Sequence, residues 1–490
     1  MRLPGGSASL LAMRETAISI VRRLRDAGHT AYFVGGCVRD MIRGVEPDDF
    51  DIATTARPEQ VQALFPKTVS VGAQFGVVLV LEGQHQFEVA TFRSDEAYLD
   101  GRRPSGVRFG SPEEDARRRD FTINGLFYEP LTRPWETLFP LQRRDRFGGG
   151  RIIDFVNGRE DIEGKLVRTI GDPRQRFAED KLRLLRCVRF AANLGFEIEP
   201  STSSALKDMA FQIGSVSAER IRDELIRIFT RPRAGLGLKL LDESGLLAHV
   251  LPEIAAMKGI EQPAEFHPEG DVFQHTKLML DLVNEPGSQQ ASPPLDRTVL
   301  AFAVLLHDVG KPPTFERAAD RIRFNDHDRI GAEMSEAILR RLRFSNEQIE
   351  KIALCVREHM RFQFVKEMRP AKLKRILARA TFPEELELHR IDCAASHRNL
   401  ENYEFLKAKA AEMPPEVIKP ERLIDGHDLL ALGLKPGPTV GQILREIEEM
   451  QLEERLKSRE EALEFARSRA AAAPPAADGS APNGLGGAKT

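Results

Sequence analysis

The chain has 490 residues, 41% hydrophobic and 30% charged, with a net charge of −3. That length exceeds what one hydrophobic core organises, so about two to four domains are expected, and the composition excludes a fibrous or wholly disordered chain. The small net charge excludes a whole-protein field that draws in nucleic acid, so RNA contact must come from local basic patches.

No apolar run reaches the length of a membrane span; the longest candidate, Leu300 to Leu306, stops at His307. The N-terminus lacks the charged, apolar and small-residue order of a secretory leader. The four cysteines, at 37, 187, 355 and 393, form no CxxC pair. They read as reduced thiols, and a cytoplasmic protein is expected.

In chain order, helical patterns over Arg14–Ala27 and Pro58–Phe65 alternate with strand patterns over Ala31–Val34, Phe50–Ala53, Val77–Leu81 and Phe87–Phe92. This predicts a mixed unit around a small sheet. From about Arg174 strand signals almost vanish. Helical periodicity marks Glu179–Asn193, Ala218–Phe229, Leu300–His307, Gly331–Leu342 and Asn346–His359, and a long helix from Val440 to about Arg469. Pro286–Pro294 reads as a loop, Pro414–Pro420 as a break, and Ala471–Thr490 as a disordered tail.

The chemistry starts at Gly35-Gly36, where a strand turns into a helix. Glycines let the backbone approach an anion, and the helix N-terminus offers free N–H groups. Arg39, one turn in, can fork onto a phosphate. On its own this is equally an ordinary strand-to-helix turn. Within a short loop come Asp49 and Asp51, read as neighbours on one face of a strand with Phe50 on the other. Paired hard oxygens suit Mg²⁺, which also takes substrate phosphates and water; a solvated acidic turn would read much the same. Glu88 is a candidate third carboxylate, or simply an exposed strand residue. Arg117-Arg118-Arg119 could start a solvated basic helix or neutralise a leaving pyrophosphate. In Arg176–Phe190, Leu182, Leu185, Val188 and Ala192 form the buried stripe. Asp180 and Arg183 stand three residues apart. They read either as a surface ion pair or as an acceptor and a donor aimed at the edge of a nucleobase.

These four elements, in this order over roughly residues 16 to 250, resemble the class II CCA-adding tRNA nucleotidyltransferase and bacterial poly(A) polymerase family. The resemblance implies that Gly35, Gly36 and Arg39 meet the triphosphate and that Asp49 and Asp51 hold Mg²⁺ and are catalytic. It implies that Arg119 touches the nucleotide, that Asp180 and Arg183 select CTP or ATP, and that Arg186 and Arg189 complete the pocket. Asp95–Gly110 matches the family's flexible loop. Gly125 stands where the family often has Ala, and Trp135–Gly150 reads as an insertion.

In the helical half, His275, His307-Asp308, His327, His359 and Asp392 fall on or beside helices. Imidazoles and carboxylates converging from several helices suit a transition metal such as Mn²⁺ or Ni²⁺. The pattern resembles the HD phosphohydrolase superfamily. By that resemblance His275, His307, Asp308 and Asp392 hold one metal, and His327 and His359 hold a second or a phosphate. His267, His389 and His397 read as ordinary structural histidines. Asp425–Pro438 has glycine turns that either cap helices or meet RNA phosphate.

The expected fold class is therefore α+β: a small mixed-sheet nucleotidyltransferase head (1–165), then a mostly α-helical neck (166–260), an HD domain (261–400), a C-terminal body (401–470) and a tail (471–490). The expected activity is template-independent addition of CCA to the 3′ end of tRNA from CTP and ATP. The alternatives are a poly(A) polymerase, a CC-only or A-only enzyme, a phosphohydrolase with a nucleotide-binding head, and a non-catalytic RNA-binding protein. No membrane partner is expected.

Overall fold

The computed structural model describes residues 6–72, 76–95, 107–130, 150–263, 265, 267–284, 295–319 and 321–472. The flexible loop within Asp95–Gly110, the insertion before Gly150, the Pro286–Pro294 loop and the tail beyond residue 472 lie outside the described residues. The chain divides into two compact units, Met1–Arg357 with Ala395–His397, and Glu358–Ala394 with Arg398–Thr490. It is α+β, with its large sheet near the N-terminus.

That sheet has seven strands: β1 (Ala31–Val34), β2 (Asp51–Thr54), β3 (Thr68–Gly72), β4 (Val77–Glu82), β5 (His85–Thr91), β6 (Leu126–Glu129) and β7 (Arg151–Asp154), in the order β3-β4-β5-β2-β1-β6-β7. Only the β2–β5 pairing is parallel; the others are antiparallel. β3, β6 and β7 have no counterpart among the predicted strands. β6, Leu-Phe-Tyr-Glu, lacks alternation because three of its four residues are buried. An aromatic core holds the sheet's layers together: Phe33 meets Phe50 at 5.1 Å and Phe92 meets Phe127 at 5.9 Å between ring centroids.

Helices α1 (Gly6–Asp26), α2 (Gly36–Arg43), α3 (Pro58–Leu64) and α4 (Pro112–Arg118) belong to this head. The arginine triplet ends α4, whose N-terminus is closed by a Ser111–Glu114 capping box; it does not begin a helix. Beyond α5 (Gly158–Glu163) the first unit is mainly helical, with α6 (Pro173–Glu179), α7 (Leu182–Leu194), α8 (Pro200–Met209) and α9 (Ala218–Phe229). A short hairpin, Phe315–Arg317 with Ile322–Phe324, interrupts the later helices. The helix predicted over Glu179–Asn193 is found as α7 from Leu182 on, while Glu179 ends α6. Asp180 leaves the helical region at φ −145° and its Oδ1 accepts from Leu182 N at 3.1 Å, which stops α6 and starts α7.

In the second unit, the helix predicted from Val440 to Arg469 is also two, Pro438–Leu452 and Arg459–Ala472. Glu454 takes a left-handed φ of 61° between them, and Ser458 Oγ accepts from Glu461 N at 3.2 Å to start the second. Ile443 and Ile447 of one then share a core with Ala462 and Ala466 of the other. Among the described residues no helix is long and apolar enough to cross a membrane.

Candidate active site

The predicted phosphate and metal residues meet at one end of β1. Val34 pairs with Asp51 across β1–β2, so the turn into α2 begins beside that carboxylate. Gly35 has φ 77°, a conformation that favours glycine. A Cβ built there would lie 3.4 Å from Arg119 Nη1 and 3.9 Å from Asp51 Oδ2; one on Gly36 would lie 3.6 Å from Arg39 Nη2. Gly35, Gly36, Arg39, Asp51 and Arg119 thus border a single place. Asp49 differs from its sequence-based placement. β2 begins only at Asp51, and Asp49 sits before it, exposed and not on the strand. Pro47 and the acidic run ahead of β2 keep that stretch out of the sheet.

The carboxylates repel one another. Burial, then Glu88 and Asp49, push the Asp51 carboxyl up to about 7, against Arg119. Asp49 is raised by partial desolvation and by Asp48 and Asp40, against Arg39. Glu88 stands next to Asp51 because Ile52 pairs with Val89 in the parallel ladder. A knot of like charge opposed mainly by arginine is the donor set a hard divalent cation fits. Cys37 lies close by, but burial and then Asp51 push its thiol up to about 12, so it offers no nucleophile.

The five predicted arginines are all engaged in this state. Arg39 forks onto its neighbour Asp40 at 2.8 and 3.0 Å and donates to Asn124 Oδ1 at 3.0 Å. Arg119 holds buried Asp115 at 2.9 Å. Arg186 donates to Asp120 Oδ2 at 2.8 Å, and Arg189 lies 2.7 Å from buried Glu224. Three of the predicted arginines gather around one ring: Arg39, Arg186 and Arg189 stand 5.6, 5.4 and 4.2 Å from the Phe190 centroid. Asp180 and Arg183 do not pair with each other. Asp180 Oδ2 takes Arg220 Nη2 at 2.9 Å, and Arg183 Nη1 takes Glu179 Oε2 at 2.6 Å.

Sequence reasoning missed Phe190, Asp120, Asn124 and Arg220. Phe190 sits off the buried stripe of α7 at the last of three spaced arginines, which was its available signal. Arg220 had none, since forty residues separate it from Asp180.

In the helical part of the first unit, the helix Arg297–Leu306 is buried on every side from Val299 to Leu306. It delivers His307 and Asp308 into the core, both 1% exposed. One donor atom of each of His275, His307 and Asp308 lies within 4.8 Å of the others. His307 Nδ1 and His327 Nδ1 each donate to a backbone carbonyl at 2.8 Å, of Val304 and Phe324. Each therefore presents Nε2, at 3.1 and 3.7 Å from the Asp308 carboxylate. Two acceptor atoms facing at such distances need a proton or a cation between them, so these residues fit a metal ion. Burial pushes the Asp308 carboxyl up, but His307 and Lys311 hold it well below the usual range; Lys311 Nζ is 2.7 Å from it. His359 and Asp392 belong to the second unit, His359 buried and Asp392 half-buried.

Family profiles match successive, partly overlapping stretches of the chain. The profile of the Poly A polymerase head domain matches residues 31–168, that of the HD domain residues 272–382, and that of tRNA nucleotidyltransferase domain 2 residues 328–466. The CCA-adding enzyme of Geobacillus stearothermophilus is 41% identical over 242 residues, which cover 49% of this chain and 55%, about half, of that enzyme. That of Lactobacillus helveticus is 30% identical over 450 residues, covering 91% of this chain and 95% of that one. The chain belongs to the CCA-adding enzyme family, the tRNA nucleotidyltransferases. Among solved structures, the Bacillus stearothermophilus CCA-adding enzyme in complex with CTP aligns with TM-score 0.67 at 26% identity, over 96% of this chain and 99% of that one. The Thermotoga maritima CCA-adding enzyme complexed with tRNA shares the fold, at TM-score 0.54 and 21% identity over 94% and 98%.

Proposed function

We propose that this chain adds C, C and A to the 3′ end of tRNA, taking CTP and ATP as donors and Mg²⁺ as cofactor. The observation that carries the reading is the meeting of Gly35, Asp51 and Arg119 at the end of β1, with Arg39 one helical turn away. The relative solved in complex with CTP supports that donor.

Bound Mg²⁺ would lower the pKa of the attacking hydroxyl and offset charge on the α-phosphate. Asp49 and Asp51, with Glu88 behind them, are the residues that would hold it. The tRNA 3′-hydroxyl gives up its proton to solvent and its O3′ forms a bond to the α-phosphorus as the bond to the bridging oxygen breaks and pyrophosphate leaves. The N–H groups at the start of α2, Arg39 and Arg119 receive that pyrophosphate. Asp180 accepts from, and Arg183 donates to, the edge of the incoming base, and the ring of Phe190 with Arg186 and Arg189 shapes the pocket around it. The domain reading is a head (1–165), a neck (166–260), an HD domain (261–400) and a tRNA-holding body (401–470). Buried free thiols and the lack of a spanning helix among the described residues support a cytoplasmic setting.

The deciding experiment offers a tRNA that ends before CCA with labelled CTP alone, ATP alone, or both. C addition followed by one A supports the reading. A ladder of A on generic RNA would support a poly(A) polymerase instead. A second activity, metal-dependent phosphate-ester hydrolysis at the HD residues, is favoured by the Nε2 atoms of His307 and His327 facing Asp308. Phosphate release with Mn²⁺ or Ni²⁺ that His307→Ala abolishes would establish it.

A further inference from the structure

One acidic side chain beside the HD residues has no role in that reading. Glu269 lies in the turn ahead of the helix Val272–Leu282, and its side chain is 10% exposed. Its Oε1 accepts from His275 Nδ1 at 2.5 Å and from His267 Nδ1 at 2.9 Å. The two imidazoles pack edge to face with centroids 4.9 Å apart. The turn is itself anchored: Asp271 accepts from Gly259 N at 2.7 Å and from Gln274 N at 2.8 Å. Glu269 therefore stands on a fixed base.

An ionised carboxylate only accepts, so both Nδ1 atoms carry their protons. His275, fully buried, is then left with Nε2 as its donor atom, in the cluster with His307 and Asp308. The three imidazoles differ in what sets them. His307 and His327 are held by neutral backbone carbonyls, and His275 by a charged group. A carboxylate on the far nitrogen fixes the ring's tautomer and orientation, makes the near nitrogen more basic, and adds negative charge to the site.

We propose that Glu269 is a positioning residue that sets His275 for a divalent transition-metal ion, with His267 bracing the same carboxylate from outside the ligand set. The proposal rests on the HD metal reading above. It gives His267 a purpose that its place in the sequence does not suggest, and it ties metal affinity to a residue outside the HD ligands.

The test uses full-length protein stripped with chelator. Mn²⁺ and Ni²⁺ affinity is measured by calorimetry for wild type, Glu269→Ala, Glu269→Gln, His267→Ala and His307→Ala. Thermal unfolding is followed with and without metal, and CCA addition by the head checks that each variant is folded. Glu269→Ala should bind about 10–100-fold more weakly, with an unchanged unfolding midpoint in chelator and a smaller rise on adding metal. Glu269→Gln keeps an acceptor oxygen without its charge and should fall between Ala and wild type; His267→Ala should weaken binding less than Glu269→Ala. Wild-type affinity in Glu269→Ala overturns the proposal. If Ala lowers the midpoint in chelator, Glu269→Gln decides: weaker binding at a normal midpoint upholds the proposal, and wild-type binding overturns it. If His307→Ala binds as tightly as wild type, the metal reading itself fails and takes the proposal with it.

Discussion

Arg220 donates to Asp180 at 2.9 Å, while the neighbouring Leu182 N–H donates to the other carboxylate oxygen. Both acceptor oxygens of the proposed base-reading carboxylate are therefore held before a nucleotide arrives. Arg220 comes from α9, so α9 sets the orientation of a side chain at the α6–α7 junction.

This pairing predicts that Arg220→Ala lowers the preference for CTP and ATP over UTP and GTP. Both side chains are partly buried, so losing the hydrogen bond is worth about 1–1.5 kcal/mol, roughly tenfold in discrimination. Competition between labelled nucleotides measures it, and Arg220→Lys should recover part of the loss. Asp180→Ala should erode base choice more than Arg220→Ala does. Unchanged base choice in Asp180→Ala would count against the template reading itself.

Asp49→Ala and Asp51→Asn should each reduce nucleotide incorporation by on the order of 10³-fold or more, since several kcal/mol of charge stabilisation would pass through the Mg²⁺ they are proposed to hold. The same substitutions should leave the metal-free unfolding midpoint unchanged or raised. Each removes one charge from a cluster in which burial, and then the like charges of Glu88 and Asp49, already raise the Asp51 carboxyl. Single-turnover incorporation and a thermal scan in chelator check the two halves together.

How far the sequence carried this reading depends on whether each feature is local in the chain. Gly35-Gly36, Arg39 and the Asp49/Asp51 pair were legible because one turn and one short loop bring them together. The strand placement of Asp49 was not, since alternation over Asp-Phe-Asp does not reveal where the ladder with β1 begins. That Asp180 and Arg183 do not pair with each other was hidden for a related reason: Asp180 stands at the break between α6 and α7, its side chain accepting from Leu182 N. The ring of arginines around Phe190 draws on α2 and α7, and such a convergence leaves no mark in either segment alone.

Asp120 predicts a pH dependence. Burial pushes its carboxyl up, but Arg186, with Asn124 and Arg183, pulls harder and holds it well below the usual carboxylate range. The unfolded chain, with an ordinary value of about 3.9, takes up the proton first as pH falls. Ionised Asp120 therefore contributes stability that is fully present above the unfolded value and is lost below it. Asp120→Asn should lower the midpoint at pH 7, where Arg186 is left without its partner at a cost of about 3 kcal/mol. It should also flatten the decline between about pH 5 and pH 3. Thermal unfolding across that range reads both.

Two glycines hold the HD residues together by their lack of side chains. A Cβ on Gly310 would lie 2.2 Å from His327 O and 2.7 Å from Gly331 N; one on Gly331 would lie 3.3 Å from Gly310 N. Gly310 has an ordinary φ of −80°, so the demand is for space and not for an unusual backbone. Gly310→Ala must push the start of the helix His327–Arg341 away from Asp308, because backbone atoms cannot rotate aside as a side chain tip can. It should cost about 1–3 kcal/mol in stability, weaken transition-metal binding, and leave Asp49- and Asp51-dependent nucleotide addition at low temperature intact. Gly331→Ala meets looser contacts and should do the same to a smaller degree. A Gly310→Ala variant with wild-type midpoint and metal affinity would mean that His327 has room to move, and the close packing against Gly310 would then have no part in holding the site.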